Sequence, residues 1–276
     1  MIKTASPPMK NVRMSYSVRT VHRVFNAIAR RVMGTITHVS THDAVAAITF
    51  DDGPHPEFTP RLLDILERHQ AHATFFMVGE AAQQYPDLVR QVAQAGHAIG
   101  NHSWDHSSFP LISRKERWAQ LRACEQAIAP YGQRLFRPPY GHQSVASRLD
   151  ALWLGYQVIT WNLSAGDCRG HDANWIVARL TNQIKAGSVI LFHNALYTYT
   201  EERYRDREPM FEAVNMFLER FSDRFRFITV PELLQHGQPQ RRNWYWKADP
   251  DWLNSLKGQQ GTPRHYAHYA HGNSHK

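Results

Sequence analysis

The sequence predicts an α/β fold with a largely parallel sheet. Short β-rich runs alternate with helical patterns through the body of the chain, which is the order that βα units produce. The 276 residues, 42% hydrophobic and 20% charged, suffice for one large domain or two small ones that bury a core without staples. Glycine and proline number 15 each, which excludes collagen-like and low-complexity classes.

The candidate strands, in order, are 45–50, 74–78, 97–101, 135–137, 157–161, 188–193 and 225–229. Apolar residues at helical spacing fall between them. Leu62, Leu63 and Leu66 follow the first run, and Leu88, Val89 and Val92 the second. Trp118, Leu121, Cys124 and Ile128 follow the third. Trp175, Ile176, Leu180 and Ile184 precede the run at 188, and Phe211, Val214, Phe217 and Leu218 precede the last. Seven strands suit a barrel-like closure or an open doubly wound sheet, and periodicity does not choose between them. No internal repeat is visible.

The net charge of +8 sits at the ends. Residues 1–42 hold seven Lys/Arg (Lys3, Lys10, Arg13, Arg19, Arg23, Arg30 and Arg31) and no acid. Residues 238–276 contribute +4, which leaves −3 for 43–237. A nucleic-acid partner is therefore not expected for the body. Three parts follow: a basic extension over 1–42, a central domain over 43–237, and a C-terminal extension over 238–276. The last ends in a tail with His265, His268, His271 and His275, which reads as a disordered terminus or an adventitious metal binder. Cys124 and Cys168 are the only cysteines, too few for a disulfide framework or a Cys-rich zinc site. No apolar run reaches the ~18–20 residues of a spanning helix. The first forty residues lack the apolar core of about 7–15 residues that an ordinary secretory signal needs.

Within the extension, Val18, Val21, Phe25, Ile28 and Val32 form one helical stripe, with Arg19, Arg23, Arg30 and Arg31 off it. Such a helix can pack on the domain, lie on an anionic membrane surface, or be a cleaved transit peptide. The expected location is the cytoplasm, with peripheral attachment at the inner face of a membrane as the further expectation.

Five segments carry chemistry. The run Ile48-Thr49-Phe50-Asp51-Asp52-Gly53-Pro54 ends a strand in adjacent carboxylates and a turn, where parallel α/β folds place their sites. Alone, it is also what a solvated Asp-Asp-Gly turn looks like. His102 and His106 follow a candidate strand at i, i+4, a spacing that one helical turn can aim at a metal. His38/His42 and His271/His275 share the spacing without the context. With an Asp, His102 and His106 would form a His₂-carboxylate site with open positions; without one, they are two surface histidines. In Phe136-Arg137-Pro138-Pro139-Tyr140-Gly141, two prolines stiffen a backbone whose Arg can clamp a carboxylate bidentately or simply sit on the surface. The stretch 161–168 supplies Asp167, and the apolar strand Val189-Ile190-Leu191-Phe192 ends in His193. Beside a carboxylate, that His becomes a general-acid candidate; alone, it is a structural histidine.

Together and in this order, the five segments resemble the polysaccharide deacetylase family, also called the NodB-homology domain or carbohydrate esterase family 4. The resemblance spans about 44–234. It implies a distorted (β/α) barrel of about seven parallel strands and a hydrolase acting on linear amides, with one divalent metal ion, usually Zn²⁺. The substrate it implies is an N-acetylated glycan, poly- or oligosaccharide or lipid-linked, from which acetate is released. By motif, Asp52, His102 and His106 match the metal ligands and Asp51 the catalytic base. Arg137 matches the residue holding that base, and Tyr140 the donor of an oxyanion-binding backbone N–H. His193 matches the general acid, Asp167 its orienting partner, and Leu191 the residue lining the acetyl pocket. The family often carries Trp after the residue matching Asp167; here Cys168 stands there, which leaves the shape of the sugar groove open. Tyr197, Tyr199 and Tyr204 form either a sugar-stacking loop or ordinary surface aromatics. The remaining alternatives are a same-fold amidohydrolase for a small N-acylated metabolite and a catalytically silent carbohydrate-binding module. The intact motif set argues against the silent module.

Overall fold

A computed structural model of the chain describes residues 34–199, 202–242 and 251. The stripe Val18 to Val32 and the histidines of the C-terminal tail lie outside these residues.

The described chain runs β1 (Thr35–Ser40), β2 (Val45–Asp51), α1 (Phe58–Arg68), β3 (Ala73–Met77), α2 (Gly79–Gln84), α3 (Pro86–Gln94) and β4 (Ala98–Asn101). It continues through α4 (Arg114–Ala127), β5 (Gly132–Phe136), α5 (Val145–Trp153), β6 (Gln157–Val158), β7 (Leu163–Ser164) and α6 (Ala173–Thr181). It ends with β8 (Val189–His193), α7 (Glu208–Phe221), β9 (Arg226–Phe227), α8 (Val230–Leu233) and β10 (Gln238–Arg242). The main sheet has the order β6-β5-β4-β3-β2-β8-β7, with β9 also pairing with β2. Every pairing in it is parallel. This is the distorted barrel of about seven strands that the resemblance implies, and the open doubly wound alternative falls away.

Closure comes from a segment that the sequence reading placed outside the domain. The sheet's terminal strands β6 and β7 do not pair with each other. β1 bridges from the end of β6 to the start of β8, next to β7 in the sheet: Thr160 N–H donates to Ile36 O at 2.8 Å, and Val39 N–H to Gly187 O at 2.9 Å. β1 itself pairs antiparallel with β10. Ile36 and Val39 are buried among Val45, Ala47, Phe76, Leu135, Ile159 and Val189. The folded unit thus reaches past both limits of 43–237. β1 and β10 were missed because their sequences are half polar or wholly polar, and β7 (Leu163–Ser164) because two residues make no pattern. Thr35 and Thr37 are buried polar residues, and β10 reads Gln-Pro-Gln-Arg-Arg.

Alternation along β2 sorts its side chains. Ala46, Ile48 and Phe50 face outward into a core with Phe75, Phe192, Leu62, Phe217 and Phe221 from the neighbouring strands and helices. Val45 and Ala47 face the barrel interior, and alternation puts Thr49 and Asp51 on that same side. Each fully buried Phe of the outer core contributes on the order of 2–3 kcal/mol by area removed from water.

Candidate active site

The C-terminal ends of the parallel strands converge on a cavity of about 570 Å³. Its lining includes Asp51, Asp52, His102, His106, Tyr140, Leu191 and His193, which all came from the sequence motifs. Arg137 and Asp167 stand directly behind it, bonded to Asp51 and His193 respectively.

Asp51 closes β2 and pairs in register with His193 at the end of β8. Asp52 would point away by alternation. Its backbone is left-handed instead, with φ 72°, and this returns its carboxylate to the cavity. The following turn requires a glycine: a Cβ on Gly53 would lie 2.3 Å from Asn194 Oδ1. Asn194 is itself held by Thr59 Oγ1, which donates to its Oδ1 at 2.7 Å, and it donates its N–H to Asp51 O at 2.8 Å.

His102 and His106 do not share a helical turn. They sit in a loop after β4 in which Ser103 and His106 are left-handed, with φ 68° and 62°. Ser103 Oγ accepts from His106 N–H at 3.0 Å, and Asn101 Oδ1 accepts from Ser103 N–H at 2.9 Å. Local side-chain bonds, not helical repeat, bring the two rings within 5.0 Å of each other. Asp52, Ser103, His106 and Tyr140 are four of the five non-glycine residues with positive φ among the described residues. Such backbone costs of order 1–3 kcal/mol per residue, and it is concentrated around this one cavity.

Asp52 Oδ1 lies 3.3 Å from His102 Nε2 and 3.2 Å from His106 Nε2. All three residues are buried, and their ligand atoms lie within 4.8 Å of one another. No hydrogen bond of acceptable geometry reaches Asp52 Oδ1. His102 gives its Nδ1–H to Arg137 O at 2.8 Å, so the neutral ring presents an Nε2 lone pair. Burial pushes the Asp52 carboxyl up, but His106 and His102 outweigh it and hold it well below its ordinary value. A carboxylate oxygen and two imidazole nitrogens converging in this way fit a divalent cation.

Arg137 is fully buried inside the barrel, with its guanidinium 4.1 Å from the centre of the Phe76 ring. It does not clamp a carboxylate bidentately. Nη1 donates to Asp51 Oδ1 and to Thr49 Oγ1, each at 2.7 Å. Nη2 donates to Thr160 O at 3.0 Å, and Nε to Ile159 O at 3.4 Å. The fork is shared because backbone carbonyls of the strand-end loop compete for it. Asp51 Oδ2 is consequently not engaged by Arg137. Burial lowers the Arg137 pKa, against the opposing effect of Asp51.

On the opposite wall, His193 Nδ1 lies 3.1 Å from Asp167 Oδ1, and His193 N–H donates to Asp167 Oδ2 at 2.9 Å. Burial works against a charged imidazole. The Asp167 and Cys168 groups outweigh it and raise His193 to about 10. Asp167 is lowered to about 2: burial opposes this, and His193 and Arg207 prevail. Arg207 is a neighbour of this pair that no motif signalled. It donates from Nη2 to Asp167 Oδ2 at 2.5 Å and to His193 O at 2.8 Å, and from Nη1 to Asp167 O at 3.0 Å. A lone Arg before a helix carries no sequence signature of such a role.

Leu191 is buried two residues before His193 and lines the cavity. Tyr140 is left-handed, with φ 58°, and turns its ring edge-on to His106 at 4.4 Å. Cys168 and Arg169 also line the cavity, as do Tyr199 and Tyr204. Tyr197 points elsewhere: its hydroxyl donates to Glu80, and its N–H donates to Asp52 Oδ2 at 3.1 Å.

The chain is similar in sequence and fold to known proteins. Residues 38–159 match the polysaccharide deacetylase family model. A peptidoglycan-N-acetylglucosamine deacetylase of Bacillus cereus is 32% identical over 203 residues, 72% of this chain and 92% of its own. A chitooligosaccharide deacetylase of Azorhizobium caulinodans is 34% identical over 167 residues, 59% of this chain and 80% of its own. The fold superposes with TM-score 0.69 and 27% identity on a crystal structure of a peptidoglycan N-acetylglucosamine deacetylase bound to a benzamide, over 78% of this chain and 99% of that one.

Proposed function

The chain belongs to the polysaccharide deacetylase family, and from that premise we propose that it is a metal-dependent N-deacetylase. Its substrate would be an amino sugar within a poly- or oligosaccharide, and its products acetate and a free amine. The observation that carries this reading is the placement of Asp51 and His193 side by side on β2 and β8, facing one cavity with Asp52, His102 and His106.

Asp52, His102 and His106 would hold the metal, proposed as Zn²⁺. Once bound, that ion would acidify a water molecule and polarise the acetyl carbonyl. Asp51 takes the water's proton on Oδ2, the oxygen that Arg137 leaves unengaged. Arg137 keeps this carboxylate oriented. The backbone N–H of Tyr140 supplies a donor to the developing oxyanion. His193, with Nδ1–H given to Asp167, carries on Nε2 the proton that passes to the departing amine. Leu191 offers an apolar wall to the acetyl methyl group.

The names of the relatives favour peptidoglycan or chitooligosaccharide as the glycan. Cys168 in the cavity lining supports a second reading, a small N-acylated metabolite, because a short side chain there leaves the groove wall low. Acetate release by the metal-loaded protein from chitooligosaccharides, peptidoglycan fragments and small N-acetylated amino sugars separates them. Turnover of the polymers with negligible turnover of the monomers supports the main reading, and the reverse order overturns it.

A further inference from the structure

Helix α5 is built inside out. Its polar residues Ser147, Arg148 and Asp150 are 2%, 2% and 4% exposed. Its solvent-facing positions are Val145, Ala146, Leu149 and Trp153, every one apolar. Val145, Leu149 and Trp153 are spaced i, i+4, i+8, so they form one stripe down the helix. They are 46%, 36% and 74% exposed, and Leu111 beside them is 54% exposed. Three of the five exposed large hydrophobic residues among the described residues therefore share one face. A surface helix ordinarily presents the opposite arrangement.

This orientation is enforced from behind. Asp150 accepts from Arg117 Nε at 2.7 Å and from Trp118 Nε1 at 3.2 Å, both on α4, and it pairs with Arg114 at 3.0 Å. Rotating α5 to hide its stripe would strip a buried carboxylate of these partners. The apolar face stays outward because the buried polar face is locked.

We propose that this face is the docking site for the chain's own N-terminal segment, and that residues 18–32 cover it as an amphipathic helix. Three observations select this occupant. First, the segment ends beside the patch. Thr35 Oγ1 donates to Gln143 Oε1 at 2.7 Å, one residue ahead of Ser144, the N-cap of α5. Only Met33 and Gly34 separate residue 32 from that anchor. Second, the lengths match. As a helix, residues 18–32 would span about 22 Å, enough to run along all nine residues of α5, about 13 Å long. Third, the patterns are complementary. Val18, Val21, Phe25, Ile28 and Val32 make an apolar stripe, and Arg19, Arg23, Arg30 and Arg31 fall off it and stay in water. Docking the two stripes removes both apolar faces from solvent at once.

The test uses the full-length protein with Trp153→p-benzoyl-L-phenylalanine, irradiated, digested and mapped by mass spectrometry. Docking predicts cross-links within one molecule to peptides from residues 18–32. Cross-links between two copies, cross-links to lipid when anionic vesicles are present, or no cross-link to 18–32 would each overturn it. A second full-length variant, Phe25→Glu with Ile28→Glu, keeps the test independent of the probe. Amide exchange across 145–153 is expected to quicken at least about tenfold, with exchange in β2 and β8 and deacetylation unchanged. Unaltered exchange across 145–153 would refute docking.

Discussion

Asp52 and Asp167 are both buried carboxylates next to a histidine, on opposite sides of one cavity, and their surroundings differ in kind. Asp167 is saturated: both oxygens accept bonds, from His193 and from Arg207. Asp52 receives one backbone N–H on Oδ2, and its Oδ1 faces two imidazole nitrogens without a bond of acceptable geometry. Buried polar groups are ordinarily satisfied. The saturated side is suited to hold a proton on His193. The unsatisfied side, assembled from left-handed residues at 52, 103 and 106, is suited to receive a ligand from solution.

Breaking the unsatisfied side should have the largest effect. The double substitution His102→Ala, His106→Ala is expected to abolish binding of the ~1 equivalent of divalent metal that such a site takes. It should also reduce acetate release to background. Added zinc should raise the Tm of the wild-type protein and leave that of the variant unchanged. Elemental analysis should use protein truncated before Thr262, because His265, His268, His271 and His275 can bind metal on their own.

Asp51→Asn is expected to retain the metal and lose about 10²–10⁴-fold in kcat, because an amide cannot accept the water's proton. Near-normal turnover, measured as acetate release, would remove Asp51 from the role of base.

The saturated side is tested through its partners. Asp167→Asn removes the group that chiefly raises His193, so the His193 pKa should drop from about 10 toward the ordinary value of 6.5. The alkaline limb of the kcat/KM profile should move down in pH accordingly. The same pair makes wild-type stability depend on pH. The raised His193 contributes fully below about pH 6.5, and that contribution is lost as pH climbs through about 10. The depressed Asp167 contributes above about pH 3.8, and its contribution is lost as pH falls through about 2. Arg207→Met should lower stability by about 3–5 kcal/mol, since it leaves a buried carboxylate short of its cation. Denaturant unfolding measures this.

Cys168→Trp should change least. It lines the cavity next to Asp167 and acts on the chemistry only by helping to raise His193, so kcat near neutral pH should stay within about threefold, while KM for an oligosaccharide shifts as the groove wall rises. A collapse of kcat would place Cys168 in the chemistry.

Local patterns announced much of this molecule. All seven candidate strands were legible because each is an apolar run ended by a turn, and Asp51, Asp52, His102, His106, Arg137 and His193 were legible because each follows such a run. The sequence by itself thereby determined the α/β class, seven of the ten strands and the side chains that reach the strand ends. The tertiary structure alone decided whatever depends on partners distant in the chain. Arg207 reaches Asp167 from 40 residues away. Thr49 and Asp51 share an Arg 88 and 86 residues on. β1 closes the barrel through bonds to Ile159, Thr160 and Gly187 that its half-polar sequence does not advertise. The face of α5 is likewise set by Asp150 meeting Arg117, 33 residues earlier, and its own periodicity would have turned it the other way. Hydrophobic periodicity reports which face of an element is apolar. Which face is buried is settled by all the polar partners together, and those meet only when the chain has folded.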